Sequence, residues 1–123
     1  MQFCTVINCI DGRTQLPVIT YAQNRFDSEY VDIITEAGPN LLLFEQKDRI
    51  KVQSIIERLE ISIKKHHSAG IAIVGHHDCA GNPAPKREQI DHLLESVRFV
   101  QDRFKQSAVI GIWVNENWIA QEI

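Results

Sequence analysis

Residues 71–74, Ile-Ala-Ile-Val, are four apolar residues in a row, and Gly70 introduces them. A strand with one wet face alternates apolar and polar side chains, whereas an unbroken apolar run needs cover on both faces. The middle of a parallel sheet with helices on either side meets that need. Suitable helices can be read nearby. Asp48 is placed to N-cap a helix running to about residue 67, along which Ile55, Ile56, Leu59 and Ile63 recur at helical spacing. Glu57, Arg58, Glu60 and Lys64 fall largely on its other face, and Gly70 ends the helical segment.

Three further runs read as strands: residues 3–7, 30–35 and 109–114. Residues 11–14 form a loop after the first, and Pro17 sits early in a short helix over residues 16–24. Ala37-Gly38-Pro39-Asn40 breaks the chain after the second. A proline-rich loop, residues 82–85, leads into a helix over residues 86–105 with Ile90, Leu93, Leu94, Val97 and Phe104 on one face. Strands alternating with helices predict an α/β fold. It is a single domain over residues 1–123, with a short, mainly parallel sheet of about four strands flanked by helices.

Composition narrows the function classes. With 44% hydrophobic and 24% charged residues, the 123-residue chain has an ordinary globular balance. A formal charge of -3 and the lack of any Lys/Arg-rich run speak against nucleic acid as a partner. No apolar stretch approaches the length of a membrane span, and the first residues show neither the charged nor the apolar region of a signal peptide. The expected location is cytoplasmic. In a reducing compartment, three cysteines fit metal ligation better than a disulfide framework.

Two short motifs carry the chemistry. Cys9-Ile10-Asp11-Gly12-Arg13 follows the first strand, and His76-His77-Asp78-Cys79 follows the apolar run at residues 71–74. Residues just past the C-terminal ends of parallel strands converge on one crevice. There Cys9, His76 and Cys79 would make a soft zinc site whose fourth position is left for water, the mark of a catalytic centre. The competing reading is two core cysteines and an exposed loop histidine. Arg13 can pair with Asp11 and hold its carboxylate beside the metal, where it would orient a zinc-bound hydroxide. A plain loop salt bridge or Asx-turn is the alternative for that pair. His77 reads as a second-layer or solvent residue. His66 and His67 read as cations at a helix C-terminus, His92 as a solvated helix residue and Cys4 as core.

The order C-x-D-x-R then H-x-x-C around a βαβ unit resembles the β-class carbonic anhydrases over most of the chain. Cys9, Asp11 and Arg13 match the first motif of that family, His76 and Cys79 the second, and residues 33–40 look like a degenerate copy of its R-N-A-G-N segment. The resemblance implies zinc-dependent hydration of CO2 to bicarbonate and active sites near a subunit interface. It also implies a miniature relative: eight residues precede Cys9, which leaves no counterpart for the N-terminal arm or for the bicarbonate-bonding glutamine ahead of the first motif. Ala80-Gly81 stands where the family has Gly-Gly, and Thr35-Glu36 where it has Arg-Asn.

The expected partners are CO2 and bicarbonate, and a second copy of the chain in a homodimer or larger assembly, with Trp113 and Trp118 as candidate interface anchors and a core position as the alternative for Trp113. COS or CS2 as substrate, and a non-catalytic zinc- or bicarbonate-binding relative, remain open alternatives. A cysteine phosphatase or sulfurtransferase ranks lower, because a phosphate cradle wants C-x5-R and Arg13 lies only four positions after Cys9. No G-x-G-x-x-G follows any strand, which argues against a dinucleotide site.

Overall fold

The computed structural model describes residues 2–123. In chain order its elements are β1 (Phe3–Cys9), α1 (Gly12–Phe26), β2 (Tyr30–Glu36), α2 (Pro39–Glu45), α3 (Arg49–Lys65), β3 (Gly70–His76), α4 (Lys86–Arg103), β4 (Ala108–Val114) and β5 (Ala120–Glu122). The strands form one sheet in the order β2-β1-β3-β4-β5. Every neighbouring pair is parallel except β4 with β5.

All seven residues of β3 are buried, as the apolar run requires. Alternate residues serve opposite faces. Ile71 and Ile73 join Ile55, Leu59 and Leu93 in one core, while Ala72 and Val74 join Val18, Ala22 and Phe26 in the other. Helix α1 therefore covers one face, and α2, α3 and α4 cover the other. Leu59 is fully buried in this packing, so Leu59→Ala would cost about 2–5 kcal/mol.

Four sequence expectations need correction. Helix α1 begins a full turn before residue 16, because Asp11 caps it: its Oδ1 accepts the Arg13 backbone N–H at 2.9 Å. The Gly38-Pro39 break is also a helix start. Gly38 takes the left-handed N-cap position of α2 at φ 62°, and Pro39 fills the first turn, where a missing N–H costs nothing. Gly70 does not end α3, which stops at Lys65; it opens β3, where a Cβ would meet the Phe26 ring at 2.2 Å. On α4, Leu94 is 43% exposed, and the buried stripe is Gln89, Leu93, Ser96 and Val100. The three-residue β5 was also not expected and makes the sheet five-stranded.

The topology places the chemistry. The chain leaves β1 to one side for β2, then returns across it to β3 and β4 on the other side. Cys9 ends β1 and His76 ends β3, so both stand where the strand order reverses, the usual ligand crevice of an open α/β sheet.

Candidate active site

Cys9, His76 and Cys79 come together at that crevice, all three buried, with their ligand atoms within 4.8 Å of one another. The Cys9 and Cys79 sulfurs are 3.8 Å apart. Two sulfurs each about 2.3 Å from one tetrahedral ion lie about 3.8 Å from each other, so the pair has the span a zinc ion needs. His76 faces the site in a defined tautomer. Its Nδ1 donates to the His77 carbonyl at 2.7 Å, which leaves Nε2 as the bare acceptor. That Nε2 is buried and makes no hydrogen bond. A buried nitrogen lone pair without a partner is costly in a finished core and natural in a ligand set. The residues present fit a zinc ion.

The three groups shift one another's protonation. The Cys79 thiol beside it pulls the Cys9 thiol below its ordinary range, burial opposes this, and His76 and the backbone N–H groups of Gly38 and Asp11 help. Cys79 moves the other way, raised by the Cys9 sulfur and by burial, while the backbone N–H groups of Asn82 and Gly81 work against the rise. Burial disfavours a charge on His76, but the Cys9 sulfur and the His77 carbonyl outweigh it, so its net shift is upward. One thiolate, at Cys9, is therefore favoured in this pocket without a metal, with Cys79 kept as the neighbouring thiol, and a thiolate is the form that ligates.

Over residues 1–123 the sequence matches the family model described as "Putative carbonic anhydrase". The chain belongs to this carbonic anhydrase family. Solved carbonic anhydrases share its fold. One from Glaciozyma antarctica superposes with a TM-score of 0.63 at 13% identity, covering 96% of this chain and 80% of that one. A tetrameric β-carbonic anhydrase from the filamentous ascomycete Sordaria macrospora gives 0.63 at 11% identity, over 99% and 80%. Curated protein sequences give no match.

Against that carbonic anhydrase fold, Asp11 and Arg13 form a two-point fork: Nε to Oδ1 at 3.0 Å and NH2 to Oδ2 at 2.7 Å. The Arg13 side-chain hydrogen bonds hold the Asp11 carboxyl down at about 2, against the opposing effect of burial. The Asp11 carboxylate in turn raises the Arg13 guanidinium. Asp11 thus caps α1 and pairs with Arg13 at once. Arg13 also bonds the Asp78 carboxylate at 3.3 Å.

Other residues fall into place around the site. His77 exposes its ring and serves His76 through its backbone carbonyl. Trp113 is 5% exposed and belongs to the core, which removes it as an interface anchor. Trp118 lies with its ring 4.2 Å from the Arg13 guanidinium carbon. His66 is the C-cap of α3 and bonds Asp32 at 2.6 Å; it stacks on Phe3, which opens β1, at the end of the sheet away from Cys9. His92 is half-buried rather than solvated, bonded to Asn82 at 3.1 Å and packed on Phe44. Cys4 is fully buried, as expected. No helix among the described residues is long and apolar enough to cross a membrane.

Proposed function

We propose that this protein is a zinc-dependent lyase that hydrates CO2 to bicarbonate, with Cys9, His76 and Cys79 holding the metal and Asp11 and Arg13 orienting the attack. The observation that carries this reading is the buried, unpartnered His76 Nε2 set against two sulfurs 3.8 Å apart, in a chain whose whole length matches a carbonic anhydrase family. Zinc in such a site supplies Lewis acidity, which brings the pKa of a coordinated water to about 7.

The chain's own groups do the rest. Asp11 stays ionised far below neutral pH and keeps lone pairs beyond those that Arg13 occupies, so its carboxylate can accept a hydrogen bond from the attacking water and aim that water's free lone pair at the CO2 carbon. Arg13 fixes the Asp11 plane through its fork and neutralises its charge toward anionic product. CO2 is small and apolar and asks only for a narrow approach; Ile10, between Cys9 and Asp11 and 63% exposed, supplies apolar surface there. We further propose a cytoplasmic homo-oligomer. The Sordaria relative is a tetramer, and Leu16 and Ile119 are 74% and 59% exposed in this chain.

Metal analysis of protein purified without added zinc tests the ligand set. One zinc per chain is expected, and Cys79→Ser should remove it, because a hydroxyl is a poor ligand for this ion. Full zinc content in Cys79→Ser would overturn the assignment.

A further inference from the structure

Three carboxamides outside both motifs, Asn40, Asn82 and Gln89, are only 1%, 1% and 2% exposed. Burying such groups is unfavourable unless they are hydrogen-bonded, and apolar residues would fill the same space at less cost. The three are bonded in series. Asn82 Nδ2 donates to Asn40 Oδ1 at 3.2 Å, Asn40 Nδ2 to Gln89 Oε1 at 3.2 Å, and Gln89 Nε2 to the His76 carbonyl at 2.9 Å. Along this series the donors run in one direction, toward His76, so each bond polarises the next; Asn82 Nδ2 also meets His92 Nδ1 and Gln89 Nε2 also reaches the Ala84 carbonyl. Asn82 Oδ1 is itself buried without a partner, a local cost accepted at the head of the chain.

Gln89 reaches one ligand directly, and Asn82 and Asn40 sit in the segments that carry or adjoin the other two. Gln89 grips the backbone of His76. Asn82 lies three residues after Cys79. Asn40 sits in the first turn of α2, just past Gly38, in the segment that leaves β2, whose Glu36 pairs in register with Cys9. The Gly38 and Gly81 loops touch so closely that a Cβ on Gly38 would stand 2.5 Å from the Gly81 carbonyl carbon.

We propose that the Asn82–Asn40–Gln89 chain is the positioning device of the metal cradle, setting His76 relative to Cys9 and Cys79 and so the tightness with which the metal is held. The inference rests on the metal reading above. It makes these three positioning residues, since they act through the ligands and do not touch metal or substrate.

The test uses cobalt(II)-substituted protein, read by its thiolate-to-metal and ligand-field absorption, together with zinc affinity by chelator competition. Gln89→Met keeps the volume and removes the donor to His76. It should shift the cobalt bands and weaken zinc by about tenfold or more, the usual scale for partners one layer behind a ligand. Asn82→Ala, at the far end, should do the same to a smaller degree and covers the case in which Gln89→Met fails to fold. Ser96→Ala is the stability control. Its hydroxyl bonds the backbone carbonyls of Asn40 and His92 at 2.9 and 2.7 Å and lies outside the chain, so this variant should lower thermal stability and leave the bands in place. Wild-type bands and affinity in a folded Gln89→Met or Asn82→Ala protein would overturn the positioning role while leaving the ligand set intact. A wild-type protein that shows no thiolate-to-cobalt absorption would remove the ligand set and the positioning role together.

Discussion

Arg13 and Asp78 lie 65 residues apart and meet across the mouth of the site: the guanidinium donates to the Asp78 carboxylate at 3.3 Å and to its backbone carbonyl at 3.1 Å. Asp78 takes a left-handed conformation, φ 57°, to present that carbonyl, a conformation Asp tolerates better than most residues. Because Arg13 also forks onto Asp11, it ties the loop after Cys9 to the loop that carries Cys79. Trp118 covers the guanidinium, which gives the cation an aromatic face as well as its carboxylates.

The two acids on Arg13 should behave differently when neutralised. Asp11→Asn keeps the helix cap, since Asn caps as well as Asp, and should keep zinc. It should lose about 10²–10⁴-fold in CO2 hydration, the usual contribution of a positioned acid/base group. Asp78→Asn should retain most activity, because its side chain is 71% exposed and its backbone carbonyl still holds Arg13. Stopped-flow hydration with zinc content measured in parallel checks both. Equal losses in the two variants would refute the distinction.

Arg13→Ala should resemble Asp11→Asn in activity, since the carboxylate loses the fork that fixes its plane. Arg13→Lys should recover only part of the loss. An ammonium keeps the charge but cannot bond two carboxylate oxygens in plane or stack on Trp118. Full recovery by lysine would mean that charge alone matters.

Acid stability should report the same pair. The Asp11 carboxyl is held at about 2 against an ordinary 3.8. A depressed native value adds stability that is complete above the unfolded value and fades as pH falls through the native one. Metal-free wild type should therefore lose this contribution between about pH 4 and pH 2, and Asp11→Asn should show a flatter stability profile across that window. Denaturant titrations at several pH values make the comparison. Parallel profiles would mean that the pair adds nothing to folding.

Gly38→Ala should be among the most damaging single-methyl changes. The residue sits at φ 62°, and its Cβ would enter the Gly81 backbone. The backbone conformation alone would cost an alanine on the order of 1–3 kcal/mol. Thermal unfolding and zinc content should both fall, because Gly38 and Gly81 flank the two sulfurs. A variant as stable as wild type would show that the loops can part without loss.

Much of this was legible in the sequence because its signals are local. The apolar run at residues 71–74 announces a doubly covered strand, and the spacing of Ile55, Ile56, Leu59 and Ile63 announces α3. Cys9, His76 and Cys79 are visible because each follows a strand, and parallel strand ends share a crevice. What escaped depends on contacts between distant segments or on signals with two meanings. Pro39 reads equally as breaker or first helical residue. Three residues of β5 are too few to show a period. Trp118 meets Arg13 only once the β4–β5 turn is formed. Gln89 and Ser96 follow the helical spacing of Leu93 and Val100, so their inward position could have been found by asking which polar residues share the apolar stripe of α4. Their partners, Asn40 and Asn82, lie in segments that composition marks only as breaks.

The measurement that bears most directly on the proposed function is the stopped-flow rate of CO2 hydration by protein of verified zinc content, compared with Cys79→Ser. The account predicts acceleration over buffer that scales with bound zinc and disappears in Cys79→Ser. A wild-type protein carrying one zinc per chain yet hydrating CO2 no faster than buffer would contradict it.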